Sequence, residues 1–514
     1  MKTLCKGLIL FLALVLLTSQ TAMSKELIIA MHEEIRGTDI QQIGRSTVVH
    51  SLLFEPPFRF TRDMNSIEPG FVSGFSLSKD GKTLRLTIAD GLTFSNGIPL
   101  TPEAIKASYE RYLKVSPYAS DFKSLYDITI ENNDVVMHWK NPPVPVLVVL
   151  ASAFGGVVDV TTANKVGEEK FNRNVVAYGP MVVDEWVQGS HITLKRNPNF
   201  RTYFPEFKNK GPMNIDKVTV RFIPDDFIRV TEIKSGSTDI IYGVPLENVE
   251  ELKADPDIEL HRNLQTGCMM YYVNPNDTIL SDAKVRRALQ RGVNRQELVT
   301  LLNSNNAQVR FGLFSPSIIG FHQGAEDRFA KLYRYDFEAA SRLLDEAGWK
   351  DTDGDGIRDK DGKKLQITAM VAIDSPGVRK TAPVIQAQYK KLGVALKLQE
   401  FEDKYIRQAV RDKKNQLASR RWQWFDGDML TYLFHSDSKN YAYPDIDALI
   451  NAARYEIDPQ KRAEIYAQAQ GLILEKGLAI PLYSDFYYVA VRKGIKGFVM
   501  SANGTVYLND LEKE

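Results

Sequence analysis

Between Leu417 and Asp428 the chain reads Leu-Ala-Ser-Arg-Arg-Trp-Gln-Trp-Phe-Asp-Gly-Asp, which gathers guanidiniums, indoles and carboxylates in one short stretch. Such groups suit non-covalent capture: a carboxylate pairs with an ammonium, a guanidinium forks a carboxylate, and an indole offers a flat apolar face. On an extended strand Arg420, Trp422 and Trp424 share one face and Arg421, Gln423 and Phe425 the other, so bulky aromatics are presented together. They run into Asp426-Gly427-Asp428, at a strand end, where clefts form in α/β proteins. Arg421, Trp422, Trp424, Asp426 and Asp428 are therefore the leading ligand-binding candidates. The competing expectation is that the tryptophans are buried core.

A second candidate set follows the apolar run Leu27-Ile28-Ile29-Ala30, read as the first strand, where His32, Glu33 and Glu34 stand just beyond its carboxyl end. His32 and Glu34 are counted as cleft residues. His32-Glu33 also begins an H-E-x-x-H zinc motif, but its fifth position is Arg36, so the second ligand is missing. The acids from Asp351 to Asp361 imitate a calcium loop at positions 1, 3, 5 and 9, with Gly356 at position 6. Position 12 is Gly362 rather than a bidentate glutamate, so the loop reads as a solvated Asp-Gly turn that needs no calcium. No G-x-S-x-G elbow and no phosphate-cradling loop ending in Lys-Ser/Thr is present. Asp426 and Asp428 could do acid–base work in an exported hydrolase, the alternative class, but nothing else marks a reaction.

The elements that must position these groups alternate between strand and helix patterns. Asp90-Gly91 and Asn96-Gly97 bracket Leu92-Thr93-Phe94 as a hairpin corner; Thr101 then caps a helix with Pro102 at its first position and Ile105, Tyr109, Tyr112 and Leu113 at helical spacing. Val218–Ile223, a helix stopped by Gly236, and Asp239–Tyr242 form one βαβ unit. Asp336 caps a helix ended by Gly348, and Leu365–Val371, a helix to Leu392, and Val394–Leu398 form another unit. Asn294 with Glu297 starts a capped helix, as does Asp458-Pro459.

The order D-G-x-x-F-x-N-G-x-P-L-T from Asp90 to Thr101, followed by an amphipathic helix, resembles the extracellular solute-binding proteins of family 5, the peptide- and nickel-type receptors of ABC importers. Tyr178-Gly179-Pro180 with Trp186, Gly189 and Leu194-Lys195-Arg196-Asn197-Pro198 is similar to a second family run, although Ala177-Tyr178 replaces its usual Gly-Thr. Tyr271-Tyr272-Val273-Asn274, continuing to Leu298, and Pro481–Phe498 resemble two more. The resemblance implies an α/β, two-lobed periplasmic binding protein fold (type II, in the large form with a subdomain inserted in lobe 1). It divides the chain into a signal peptide over 1–24, lobe 1 over 25–273 with an insert at about 59–174, lobe 2 over 274–483, and a return to lobe 1 over 484–514. Tyr272 joins the ligand-binding candidates. In the family's peptide receptors a tryptophan precedes, by three residues, the aspartate that pairs with the peptide amino terminus. Counted from Trp422 that position is Phe425, and Asp426 is one residue late.

Charge and length agree with an exported binding protein. Lys2 and Lys6 precede an apolar core from Gly7 to Leu17, and Ala22-Met23-Ser24 offers small residues to a signal peptidase. The net charge of +1 falls to about −1 without that segment, which argues against nucleic acid as a partner. Of the two cysteines only Cys268 lies beyond it, so no intrachain disulfide is expected. The expected protein is a periplasmic monomer, without cofactor or metal, that captures a peptide or peptide-like solute for ABC permease subunits. A nickel or metallophore receptor of the same family is the alternative.

Overall fold

The computed structural model describes residues 25–64, 66–302, 306–373, 375–421, 423–438, 442–501 and 504–514. The signal-like segment Met1–Ser24 and the candidate Trp422 lie outside the described residues. No described helix is long and apolar enough to cross a membrane.

Twelve strands form one hydrogen-bonded sheet, ten of them along a single path. In chain order they are β1 (Glu26–Met31), β2 (Met181–Val187), β3 (His191–Arg196), β4 (Lys217–Phe222), β5 (Ile240–Tyr242), β6 (Ile258–Leu264), β7 (Met269–Val273), β8 (Ala307–Val309), β9 (Gln366–Ala372), β10 (Ala395–Phe401), β11 (Leu417–Arg421) and β12 (Ala479–Arg492). The spatial order is β10-β9-β11-β7-β12-β5-β1-β4-β3-β2, with β6 and β8 also paired to β12. β1 lies parallel between β4 and β5, and β9 lies parallel between β10 and β11; the crossovers Asp226–Ser235 and Pro376–Lys391 are helical, as the two βαβ patterns require.

β12 belongs to both lobes. Its first half, Ala479–Tyr483, pairs with β7 in lobe 2, while Phe486–Arg492 pairs with β6 in lobe 1. Ser484 and Asp485, together with Gln265–Cys268 between β6 and β7, are thus the two places where chain passes between lobes. The forward crossing precedes β7, whose residues Met269–Val273 pair with β11. The crossings are tied to each other: the Gln265 N–H donates to Asp485 O at 3.0 Å, and the Ser484 hydroxyl donates to Gly267 O at 2.9 Å.

The stretch expected as an insert holds a four-stranded antiparallel sheet made by Gly74–Leu77, Thr83–Thr87, Asp134–Trp139 and Leu125–Glu131, in that spatial order, and the helix Pro102–Val115. It shares one apolar core with the lobe 1 sheet: Leu84, Ile105, Ile128 and Trp139 belong to the same buried cluster as Leu27, Ile29 and Val220. Thr101 accepts from the Ala104 N–H at 3.3 Å, and Gly91 and Gly97 take positive φ as the turn requires. Ile105, Tyr109 and Tyr112 are buried, but Leu113 is exposed; the polar Ser108 and Arg111 take buried places on that helix instead, Arg111 pairing with Asp39 at 2.6 Å. In lobe 2 the strand alternation separates two cores. Met269, Tyr271 and Val273 face one, and Met270 and Tyr272 the other.

Candidate functional site: the cleft between the lobes

A cavity of about 360 Å³ opens between the lobes. Lobe 1 supplies the loop Gly44–Val48 before the helix Val48–Leu53, the turn Ala151–Phe154 that follows the helix Val144–Leu150, and Tyr118, Tyr242 and Tyr487. Lobe 2 supplies Gln423, Trp424 and Phe425, and Gln265 and Thr266 come from the crossing itself. Trp424 is half-buried and packs against the apolar clusters of both lobes. Its ring lies 5.7 Å from Tyr118 and 6.3 Å from Phe154, distances at which aromatic pairs attract. This aromatic corner forms one wall.

The polar wall is almost uncharged. Among the described lining residues only Arg45 carries a charge, and no aspartate or glutamate is present. The Arg45 guanidinium pairs through Nη1 with Glu33, whose other oxygen meets His32 Nε2 at 3.2 Å. The His32 hydrogen bond, with Arg45 behind it, holds the Glu33 carboxyl below its ordinary range. Two cavity-wall atoms, Tyr242 Oη and Asn263 Oδ1, are buried without a hydrogen-bond partner among the described residues. Buried polar atoms seldom stay unpaired, and in a cavity wall they are places for ligand groups.

The carboxylates expected to line this cleft are engaged elsewhere. β11 ends at Arg421, so the strand alternation expected through Phe425 stops short, and 423–428 forms a turn. Ile319 and Phe425 pair through their backbones, and the Gly427 N–H donates to Ile319 O at 2.8 Å. Gly427 has to be glycine, because a Cβ there would lie 2.7 Å from the Tyr466 ring. The turn buries Asp426 completely and delivers both of its oxygens to Arg462, at 2.5 and 2.6 Å. Asp426 is thus an internal ion-pair partner and does not line the cavity. Arg462 comes from the helix Pro459–Glu475, capped by Asp458, a partner that local sequence could not reveal.

Asp428 is also buried, and burial pushes its carboxyl up to about 7 against the pull of Arg454 at 3.5 Å. It belongs to a polar cluster that joins the lobes. Asp121 of the insert accepts from the Tyr432 hydroxyl and lies 3.8 Å from Arg454. Burial raises the Asp121 carboxyl as well. Lys123 and Asp437 pair across the rim at 3.5 Å.

The remaining candidates divide. Arg421 pairs with Asp485 and stabilises the return crossing. His32 sits beside the cavity, near Gly243 and Tyr487. Glu34 accepts from Trp186 Nε1 and the Gly189 N–H, both at 3.0 Å, and so holds the β2–β3 turn. Tyr272 lies in the lobe 2 core against Phe434 and donates to Leu433 O at 2.8 Å. Of the eight candidates only Trp424 lines the cavity among the described residues. Arg45, Tyr118, Phe154 and Tyr242 also line the cavity, and no sequence pattern points to them, since each stands on a different segment with no shared spacing.

The acidic loop is also occupied from within. The Lys364 ammonium lies 2.6 Å from Asp353, 2.9 Å from Asp355 and 3.8 Å from Asp359, while Asp351 accepts from the Gly354 and Gly356 N–H groups.

Two α/β lobes joined at two crossings, with a cavity between them, define a solute-binding protein. The chain belongs to the bacterial extracellular solute-binding proteins, family 5 (Middle), whose model matches residues 66–443. It is 24% identical over 451 residues to the probable D,D-dipeptide-binding periplasmic protein DdpA of Escherichia coli K12, covering 85% of this chain and 82% of that one. It is 25% identical over 390 residues to the nickel-binding periplasmic protein of the same organism, covering 72% and 70%. Its fold matches NikA from Brucella suis in complex with Fe(III)-EDTA with a TM-score of 0.81 at 20% identity, over 95% of this chain and all of that one.

Proposed function

We propose that this chain is the capture component of an ABC importer: it closes two lobes on one small, peptide-like solute and presents the closed form to membrane permease subunits. The observation that carries the reading is the cavity between lobes that, among the described residues, the chain joins through Gln265–Cys268 and Ser484–Asp485, a pair of crossings about which the lobes can rotate. Its volume is at the small end of the roughly 300–1,000 Å³ typical of ligand sites, which suits a solute of dipeptide size. Relatives named for dipeptide binding support the same class. The protein acts as a monomer and binds its solute without transforming it. Met1–Ser24 directs export and is removed, so that the mature chain begins near Lys25; an intact Met1 on periplasmic protein would count against this.

A chelate-binding reading has its own support, since a relative is named for nickel and the cavity joins a guanidinium to an aromatic wall. No lining histidine, cysteine or carboxylate among the described residues favours a bare metal ion. Native mass spectrometry of gently purified protein tests both readings, the expected result being one co-purifying organic solute. Small-angle scattering on release and restoration of that solute should show a larger radius of gyration without it. An unchanged radius would contradict closure.

A further inference from the structure

Among its described lining residues the cavity has one guanidinium, no carboxylate and an aromatic wall, and the described acids around it have basic partners: Asp426 on Arg462, Asp485 on Arg421, Asp428 and Asp121 beside Arg454, and Glu33 on Arg45. An ammonium entering it would lose its water and meet no counter-charge, an unfavourable transfer unless it neutralises. A carboxylate would meet Arg45. That guanidinium has five N–H donors, and Glu33 engages it through Nη1, which leaves donors for a second acceptor. Arg45 is also more than half exposed, so it can turn toward the cleft without unpacking a core. The unpaired Tyr242 hydroxyl can donate to a neutral carbonyl, and the unpaired Asn263 oxygen can accept from an amide N–H. Both suit an amide-bearing solute.

We infer that the solute is an amine-free or N-blocked small carboxylic acid, lying with a flat or apolar face on Tyr118, Phe154 and Trp424 and its carboxylate toward Arg45. The inference builds on the capture reading above and narrows it: recognition proceeds without a contact between a protein carboxylate and a ligand ammonium.

Matched pools of dipeptides test this, one set with free amino termini and one N-acetylated, offered to the full mature protein stripped of co-purified solute. Retained members are ranked by mass spectrometry and the best pair is titrated by calorimetry. The N-acetyl form should bind at least tenfold more tightly than its free-amine twin. Converting its carboxylate to a carboxamide should weaken binding about tenfold in the unaltered protein and little in Arg45→Gln, whose exposed side chain is not needed for folding. Equal binding of the twins, preference for the free amine, or an Arg45→Gln protein that still distinguishes acid from amide overturns the inference and leaves the capture reading standing. Retention of no member of either pool counts against the capture reading itself, and the inference falls with it.

Discussion

The two lobes meet over two patches of opposite character. Around the cavity, Tyr118, Phe154 and Trp424 form an aromatic corner with neutral amides and hydroxyls and, among the described lining residues, a single arginine. Beside it, Asp121 of lobe 1 enters a buried charged cluster of Tyr432, Arg454 and Asp428 in lobe 2, backed by Asp426 and Arg462. Charges were withheld from the place where a solute would sit and concentrated where protein meets protein. The contrast teaches that the acids near a cleft need not be its ligand groups. A buried carboxylate whose oxygens are both held by a guanidinium is costly to release, so it positions and locks rather than samples ligands.

The largest expected effect is on the charged side. Asp426→Ala leaves Arg462 buried without its counter-charge and should cost about 3–5 kcal/mol in urea unfolding. Adding Arg462→Met should recover much of the loss. Solute affinity of the folded protein should stay within about twofold, whereas a cleft role for Asp426 would put the deficit into binding. On the other side, Trp424→Ala should weaken capture of the co-purifying solute tenfold or more, equivalent to about 1.4 kcal/mol. Its stability should fall less than that of Asp426→Ala, because the indole is only half-buried. An unaltered calorimetric affinity would remove the aromatic wall from the account.

Between these, Asp121→Ala should loosen the contact of the lobes, raising the solute-free radius of gyration and reducing affinity a few-fold. A change in unfolding stability without a change in radius would make Asp121 a local packing residue of the insert. The same cluster predicts a pH dependence. Asp428 has an ordinary value of 3.8 and a folded value of about 7, so between those pH values the folded state holds a proton that the unfolded chain has lost. Its contribution to stability is therefore present in acid and declines as pH rises toward 7. Asp428→Asn should flatten that part of the melting temperature profile; an unchanged slope would place the proton elsewhere.

The difference between the patches also explains how much could be read in advance. Elements governed by neighbours in sequence were legible: Asn294 caps its helix through the Glu297 N–H, Asp336 through the Ala339 N–H, and Asp458 through Gln460 and Lys461, while β9 and β10 pair as the βαβ pattern requires. The cleft was legible in Trp424 but not in its partners, because Arg45, Tyr118 and Phe154 come from three loops of the other lobe. The pairing of Asp426 was illegible for the same reason: its partner Arg462 lies on a later helix. Tyr272 illustrates strand alternation between two cores: β7 is buried on both faces, with Tyr271 packed in one core and Tyr272 in the other.

The smallest effect concerns the acidic loop far along lobe 2. With the Lys364 ammonium among Asp353, Asp355 and Asp359, millimolar calcium should leave the melting temperature unchanged, and Lys364→Met should introduce a calcium-dependent rise. A large calcium effect on the unaltered protein, abolished by Asp353→Ala, would contradict this.

The most direct test of the division between a capturing wall and a locking cluster is a crystal structure of the protein with its co-purifying solute. The account predicts solute density against Tyr118, Phe154 and Trp424, with Asp426 still on Arg462 and Asp428 still beside Arg454. A structure in which either carboxylate has left its arginine to hold a ligand ammonium would contradict it.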